Sequence, residues 1–247
     1  MSTTELILVG VASCLAMLAK SATGLGYPLV AIPIIATVAG LETAVAVVTL
    51  PNAAANVLVG WRTRGSRFET RDVPVLSWTS GLGAVAGTFV LVSAPERPLL
   101  LVLAAAVLAF VIRSLWFGEV TVPPRFARRA SPWVGTATGV MQGAVGVSGP
   151  IIASWLFTYR LERDAYVFAL SAVFLATGVT QIATLAAIGA YSSDRLTAAG
   201  VGFIAVLAVL PLGESMRSRL SGRRFDRTVL GLLAAAGVTL LFRALMG

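Results

Sequence analysis

Long runs without a charged residue constrain this chain more than any other feature. A helix rises about 1.5 Å per residue, so about 20 residues cross the roughly 30 Å hydrocarbon core of a bilayer. Six runs are of that order, the third and the sixth each with one arginine near the end: 43–61, 73–95, 98–117, 165–190, 196–213 and 228–246. We therefore predict an all-α, polytopic membrane protein of the cytoplasmic membrane, with the lipid bilayer as a partner.

Composition excludes several classes of protein. The chain has 247 residues, 57% hydrophobic and 12% charged, whereas soluble domains carry roughly 25% charged residues. It has no histidine and one cysteine, Cys14, which excludes imidazole bases, Cys/His metal sites and disulfides within one chain. No nucleophile–base pair or phosphate-binding loop is visible either. We predict no enzyme activity, no cofactor and no metal site.

The net charge of +8 does not indicate a nucleic-acid partner. Of the 19 basic residues 18 are arginines, mostly in short loops between apolar runs, as membrane topology requires. The segment after Met1 has no basic stretch before its first apolar run. We therefore expect no cleavable signal peptide and a first helix that is retained.

Glycine and proline interrupt two apolar segments at mid-depth. The interruptions are KSATGLGYP, residues 20–28, and QGAVGVSGP, residues 142–150. The second has about 13 apolar residues before its break and about nine after it, and pieces of about 20 Å and 14 Å are too short to cross alone. These segments predict half-helices that meet inside the membrane.

The two breaks superpose at an offset of 122 residues, which indicates an internal duplication. At an offset of 130 residues, segment 96–115 also matches segment 226–245, with Arg113 on Arg243. Matched charges within apolar helices are less expected by chance than matched leucines. We predict three parts: a first membrane repeat at 1–117, a cytoplasmic linker at 118–132 and a second membrane repeat at 133–247.

The arginines indicate how the halves are oriented. Parallel halves would place ten arginines in the cytoplasm and eight outside, whereas inverted halves place 15 inside and leave only Arg97, Arg195 and Arg243 outside. The positive-inside rule favours the second arrangement, with both termini outside. We predict two inverted repeats, each a broken, re-entrant hairpin plus three transmembrane helices, which is a plan typical of transporters.

Three features of the chain point to a known family: the breaks GLGYP and GVSGP near the start of each half, the acidic residues Glu42 and Asp164 that open the next helices, and the length. In these features the chain resembles the TauE/SafE family of sulfite exporters and sulfonate permeases, of the 4-toluene sulfonate uptake permease type. The resemblance covers essentially the whole chain, although Tyr27 and Ser148 interrupt the glycine-dense pattern. It implies transport of a small anion: sulfite, a sulfonate, or another organosulfur or carboxylate anion.

Helix geometry independently favours an anion at the breaks. A helix that begins at mid-membrane presents free N–H groups and about half a positive charge, and glycine allows a ligand close to the backbone. We expect the helices near Pro28 and Pro150 to point at a shared central site. The candidate substrate-binding residues are Lys20, Ser21, Thr23, Gly24, Gly26, Pro28, Asn52, Asn56, Gln142, Gly146, Ser148, Gly149, Pro150, Thr177 and Gln181.

Each candidate also has a structural interpretation. Glycine and proline are common in membrane helices and serve packing, which we expect for Gly135, Gly139 and Gly143. Lys20, the only lysine, either faces a partner or ligand or extends to the membrane surface. The polar side chains either line a cavity or join helices. Glu42 and Asp164 are expected to cap helices or stabilise their dipoles, and no acid lies deep enough in a span to relay protons.

Three functions remain open at this stage. The first is a secondary transporter that alternates access to a small anionic substrate. The second is a channel-like anion pore, and the third is a membrane assembly or scaffold protein without a substrate. The sequence leaves open which anion is moved, in which direction, with which coupling ion, and whether the chain forms a homo-oligomer.

Overall fold

The computed structural model describes residues 1–23, 27–66, 72–116, 124–215 and 223–246. Within these ranges the chain is helical and has no strand. The helices are α1 (Thr3–Thr23), α2 (Tyr27–Ala39), α3 (Leu41–Arg62), α4 (Val73–Ser93), α5 (Glu96–Trp116), α6 (Pro124–Val145), α7 (Gly149–Phe157), α8 (Arg163–Ala187), α9 (Ser193–Ser215) and α10 (Arg223–Met246), and a short 3-10 turn, Arg64–Ser66, follows α3.

Seven of these helices are long and apolar enough to cross a membrane, which confirms the prediction of a polytopic, all-α membrane protein. Six of them correspond to the six predicted spans. The seventh is α1, whose candidate span of 19 residues runs over Thr3–Ser21. The prediction treated α1 only as part of a broken segment, because its charge-free run covers just residues 6–19.

The helices repeat along the chain at the predicted offset. Helices α2 and α3 begin at Tyr27 and Leu41, and α7 and α8 begin 122 residues later, at Gly149 and Arg163. Helix α6 begins at Pro124, within the segment 118–132 that was assigned to a linker. The division of the chain into repeats and linker stays a prediction.

The first broken segment, α1 and α2, begins and ends at the same end of the molecule. The amino group of Met1 pairs with Asp194, at the start of α9. Just after α2, Glu42 pairs with the next residue of α9, Arg195, at 2.7 Å. The segment therefore enters and leaves beside the start of α9, as a re-entrant hairpin does.

The second broken segment, α6 and α7, opens at the other end. The hydroxyls of Ser131, early in α6, and Tyr159, just after α7, lie 2.9 Å apart, and Tyr159 donates a 2.7 Å hydrogen bond to Asp72 at the start of α4. The far end of α4, around Ala94, instead borders the pocket that contains Glu42 and Arg195. The two hairpins thus open at opposite ends of α4.

The equivalent helices α3 and α8 run antiparallel. Along α3 the order of contacts is Thr49 beside Gln181, Ala53 beside Gly178, and Gly60 beside Ser171. Copies of one helix in a parallel duplication would run in the same direction. Antiparallel copies are what an inverted duplication requires, and the inverted repeat and the end that faces the cytoplasm both stay predictions.

Glycines bring α4 and α6 into backbone contact. A Cβ added to Gly139 would lie 2.7 Å from the Ala84 nitrogen, and one added to Gly143 would lie 2.6 Å from the Thr88 nitrogen. A Cβ on Gly135 would likewise meet α4, 3.0 Å from the Leu76 carbonyl oxygen. Real Cβ atoms do not approach backbone this closely, so the structure confirms the packing role expected for these three glycines.

Of the two roles expected for Glu42, capping a helix or stabilising its dipole, the structure supports the second. The residue that precedes α3 is Gly40, with φ +80°, and the Leu41 N–H is bound by Glu96 Oε1 of α5 at 2.8 Å. Glu42 lies in the first turn, where a carboxylate interacts favourably with the helix dipole, and its side chain pairs with Arg195. Asp164 lies in the first turn of α8.

Candidate functional site

Helix α3 carries a buried polar face at the centre of the molecule. Thr49, Asn52 and Asn56 follow one another at intervals of three and four residues, which places them on one side of a helix. Each is at most 2% exposed. Helix α3 contacts α2 in its own half and α8 and α9 in the other. This face therefore lies where the two halves meet.

The first group of polar side chains, which we name the lysine cluster, comprises Lys20, Asn52 and Asn56. Lys20 Nζ donates to Asn56 Oδ1 at 2.8 Å. Asn56 Nδ2 donates to the Asn52 backbone oxygen at 2.9 Å and lies 3.2 Å from Asn52 Oδ1. Lys20 is 6% exposed, and its Nζ lies 5.7 Å from the centre of the Phe174 ring on α8, within cation–π range. Lys20 thus points into the protein and does not extend to the membrane surface.

The second group, the glutamine cluster, comprises Thr49, Gln142, Ser148 and Gln181. Ser148 Oγ donates to Gln142 Oε1 at 2.9 Å, while Gln142 Nε2 lies 3.5 Å from Gln181 Oε1. Gln181 Nε2 donates to the backbone oxygens of Gln142 and Gly143 at 3.1 and 3.2 Å. Thr49 Oγ1 lies 3.4 Å from Gln181 Oε1. The cluster therefore connects α6, α8 and the start of α7 to α3 of the other half.

The two clusters adjoin along α3. Thr49 of the glutamine cluster and Asn52 of the lysine cluster are three residues apart, which corresponds to about 4.5 Å of helix. The described side chains thus form two neighbouring groups on one face of α3, and a single shared anion site stays a prediction. Helix α6 has 22 residues, whereas about 13 were predicted before the second break.

Gly146 forms the second break by its backbone conformation. Its φ of +72° is in the left-handed region that favours glycine, and its N–H donates to the Gln142 oxygen at 2.8 Å. A Cβ at this position would collide with the Ile32 side chain of α2. Gly146 thus ends α6 in the manner of a helix C-cap glycine and allows α2 to pack against the break.

Helix α7 begins directly after this turn. Ser148 precedes its first residue, Gly149, and Pro150 lies in the second position, as Pro28 does in α2. Proline suits the first turn because its missing N–H would have no partner within the helix. Gly149 is buried beside the glutamine cluster residue Ser148. The positive end of α7 therefore lies at this cluster.

Other predicted site residues are not part of either cluster. The Ser21 hydroxyl donates to the Met17 oxygen of its own helix, and the Thr177 hydroxyl donates to its own helix at Val173 and Phe174. Thr23 ends α1, but its side chain is outside the described part of the structure, as are the predicted residues Gly24 and Gly26.

Sequence reasoning missed three residues beside these clusters: Thr49, Thr138 and Phe174. Thr138 lies one turn before Gln142 on α6 and is fully buried, and in the part of the chain that the structure describes its hydroxyl has no hydrogen-bond partner. Buried hydroxyls are rarely left unpaired. The spacings of Thr49 from Asn52 and of Thr138 from Gln142 are the signals that could have identified two of them.

One positive charge among neutral donors defines the electrostatics of the two clusters. Their other members carry amides and hydroxyls, and none of the ion pairs between described residues involves Lys20. Amides and hydroxyls are hydrogen-bond donors that do not repel an anion. A positive charge with neutral polar groups around it is a chemical environment suited to a small oxyanion.

The family model of the sulfite exporter TauE/SafE matches residues 8–240, a range that includes both clusters and both breaks. Neither a curated protein nor a solved structure matches the chain. Members of the matched family are membrane transporters and not enzymes, in agreement with a helical structure that has seven candidate spans. The chain belongs to the TauE/SafE sulfite exporter family.

Proposed function

We propose that this protein is a secondary transporter of the cytoplasmic membrane that moves a small anion, either sulfite, a sulfonate, or another organosulfur or carboxylate anion, by alternating access to the two polar clusters. The observation that carries the proposal is the buried Lys20 ammonium, whose hydrogen-bond acceptor is the neutral Asn56 amide at 2.8 Å. A charge within a membrane protein is expensive unless it has a counter-charge or a ligand.

An anion would complete the hydrogen bonding of Lys20. An ammonium has three N–H donors, and Asn56 accepts from one of them. The starts of α2 and α7 add partial positive charge from backbone N–H groups. The glutamine cluster adds polar groups to this region without a second formal charge. These features together suit a small anion with several oxygens.

The composition of the clusters also suits a coupled movement of the two halves. The lysine cluster belongs to α1 and α3 of the first half, but Phe174 beside it comes from the second. The glutamine cluster belongs to the second half except for Thr49. A displacement of one half against the other would therefore change the surroundings of both clusters at once, as alternating access requires.

Flux measurements on purified protein in liposomes test this function. Sulfite, alkyl- and arylsulfonates, thiosulfate and short carboxylates would be screened, and we expect saturable uptake of at least one anion with counterflow of the same anion. Lys20→Met should reduce that flux about tenfold or more, because a charged hydrogen bond contributes about 1.5–3 kcal/mol. Thr88→Val serves as a control, because the buried Thr88 hydroxyl bonds only within α4 in the described structure.

The same experiment separates the other two functions. Flux that rises linearly with concentration and shows no counterflow would contradict alternating access and indicate a channel-like pore. Absence of flux for every anion, in protein that is folded and inserted, would contradict transport and indicate an assembly role. Equal flux in Lys20→Met and wild-type protein would remove the lysine cluster from the site.

A further inference from the structure

Two arginines at equivalent positions each contact a short helix of the broken segments. Arg243 lies near the end of α10, and one of its guanidinium nitrogens donates to the Ala36 carbonyl oxygen at 2.6 Å. Ala36 is in the last turn of α2, which ends at Ala39. Arg113, 130 residues before Arg243, lies near the end of α5, and its guanidinium bonds the Ser154 hydroxyl in α7.

These contacts cross between the halves. Helix α5 belongs to the first half and holds α7 of the second, whereas α10 belongs to the second half and holds α2 of the first. Ser154 also donates to the Pro150 oxygen at 2.5 Å, so the contact of Arg113 extends into the first turn of α7. We refer to α2 and α7 as the short arms.

The short arms need such contacts. Helices of 13 and nine residues are too short to be stable by themselves. A cation near the C-terminal end of a helix interacts favourably with the dipole. Arg243 also binds a carbonyl oxygen there, whereas Arg113 binds a side-chain hydroxyl. The opposite end of each short arm is the positive end, which begins at the break, and the positive end of α7 lies at the glutamine cluster. Fixing one end of an arm therefore fixes the position of the other.

We propose that Arg113 and Arg243 are positioning residues, each of which holds the short arm of the opposite half so that the first turn of that arm stays at the anion site. The effect on transport rests on the proposed function. The reciprocal attachment of the arms does not, because it concerns only the stability of α2 and α7.

Hydrogen–deuterium exchange of the full chain in lipid nanodiscs tests the attachment. Arg243→Leu should increase exchange at residues 34–39 of α2 and leave α7 unchanged, whereas Arg113→Leu should increase exchange at residues 153–157 of α7 and leave α2 unchanged. Lysine at either position should restore part of the protection. Arg97→Leu is the matched control, because Arg97 is an exposed arginine at the other end of α5. Unchanged exchange in both leucine variants, or loosening of the arm in the same half, would overturn the proposal.

Transport kinetics test the positioning. With an anion that the flux screen identifies, both leucine variants should raise KM about fivefold, equivalent to roughly 1 kcal/mol, the upper range for a charge at an exposed helix end. The amount of inserted protein and the maximal rate should change little. Loosened arms with a wild-type KM would overturn the positioning role and leave the proposed function intact. A wild-type protein without anion flux would overturn the proposed function, while the exchange data would still decide the attachment.

Discussion

Lys20 Nζ donates a 2.8 Å hydrogen bond to Asn56 Oδ1 and thereby joins the deep end of α1 to α3. Both residues are buried, at 6% and 1% exposure. The acceptor is a neutral amide, and none of the ion pairs between described residues involves Lys20. A one-atom change at Asn56 therefore provides a direct test of that charge.

Asn56→Asp should keep the contact with Lys20, lose the hydrogen bond that Asn56 Nδ2 donates to the Asn52 backbone oxygen, and weaken anion binding. Aspartate has the shape of asparagine and would pair with Lys20, so the net positive charge of the lysine cluster would disappear. We expect the dissociation constant for the screened anion to rise tenfold or more, equivalent to about 1.4 kcal/mol. Isothermal titration measures the constant, and a melting curve in detergent checks the fold.

The uncharged comparison is Asn56→Leu. It removes the described acceptor of a buried ammonium, which destabilises a protein by about 1–3 kcal/mol, so this variant should melt earlier than Asn56→Asp. If Asn56→Asp binds the anion with the wild-type dissociation constant, the charge of Lys20 plays no part in binding.

Gln142→Glu should impair transport through repulsion. Gln142 accepts from Ser148 at 2.9 Å and lies 3.5 Å from Gln181 Oε1, so a carboxylate in its place would keep the first contact and add a negative charge to the glutamine cluster. We expect flux to fall at least about tenfold, since like charges disfavour each other strongly in a medium of low dielectric constant. Flux in liposomes measures the effect.

The matched neutral variant is Gln142→Met. It removes the hydrogen bonds and adds no charge, and hydrogen bonds between membrane helices average only about 0.6 kcal/mol. We therefore expect a smaller loss of flux than in Gln142→Glu. Equal losses in both variants would attribute the effect to packing and would place the anion elsewhere.

Gly139→Ala should destabilise the protein. Its new Cβ would lie 2.7 Å from the Ala84 nitrogen, so α4 and α6 would have to separate, and overpacking of this kind costs about 1–3 kcal/mol. The melting temperature in detergent should fall. Gly200→Ala is the control, because a Cβ on Gly200 of α9 has no atom within 4 Å; its melting temperature should be unchanged or higher. Equal behaviour of the two variants would contradict the close contact.

Cysteine labelling tests the membrane orientation. In a Cys14→Ala background, a cysteine at Ser66, after α3, should resist an impermeant thiol reagent added to intact cells, and one at Ser221 should also resist it. A cysteine at Ser193, the exposed first residue of α9, should react. The expectation follows from the 15 arginines that the inverted arrangement places inside. Reaction at Ser66 or Ser221 from outside would exclude this orientation.

The helices could be predicted because hydrophobic runs and Gly/Pro breaks are local signals. The six predicted spans and both breaks follow from them. The start of α6 could not be predicted in this way, since residues 124–129 contain three arginines and do not look like part of an apolar helix. The structure nevertheless continues α6 back to Pro124.

The clusters could be predicted only in part. Lys20 was identified because a charge is expensive within the membrane. Asn56 and Gln181 were identified by their helical spacing from another polar residue, and Gln142 by its place at the second break. Thr49 was missed, because threonine commonly bonds its own helix and Thr49 does so as well, at the Val45 oxygen. The partners of these side chains could not be predicted. Asn56 accepts from Lys20, whereas Gln181 bonds the backbone of α6. These partners depend on how α3 and α8 cross, and no local sequence pattern contains that information.

Two helix contacts between the halves, which we call seams, occupy equivalent positions: α4 with α6, and α9 with α1. The glycine contact between α4 and α6 makes the two seams unequal. Helices α1 and α9 meet through side chains. A Cβ on Gly10 would lie 3.4 Å from the Val201 side chain, an ordinary van der Waals distance. Backbone contact leaves little freedom to slide, whereas side-chain contact can rearrange. We therefore expect α4 and α6 to act as a hinge and the α1–α9 seam to open.

A disulfide between cysteines at positions 10 and 201, in a Cys14→Ala background, tests the hinge. It should stop transport until it is reduced, and unchanged transport in the oxidised protein would contradict the hinge. Although the sequence predicts two copies of one plan, the two end states of the protein would then differ in energy even without a substrate.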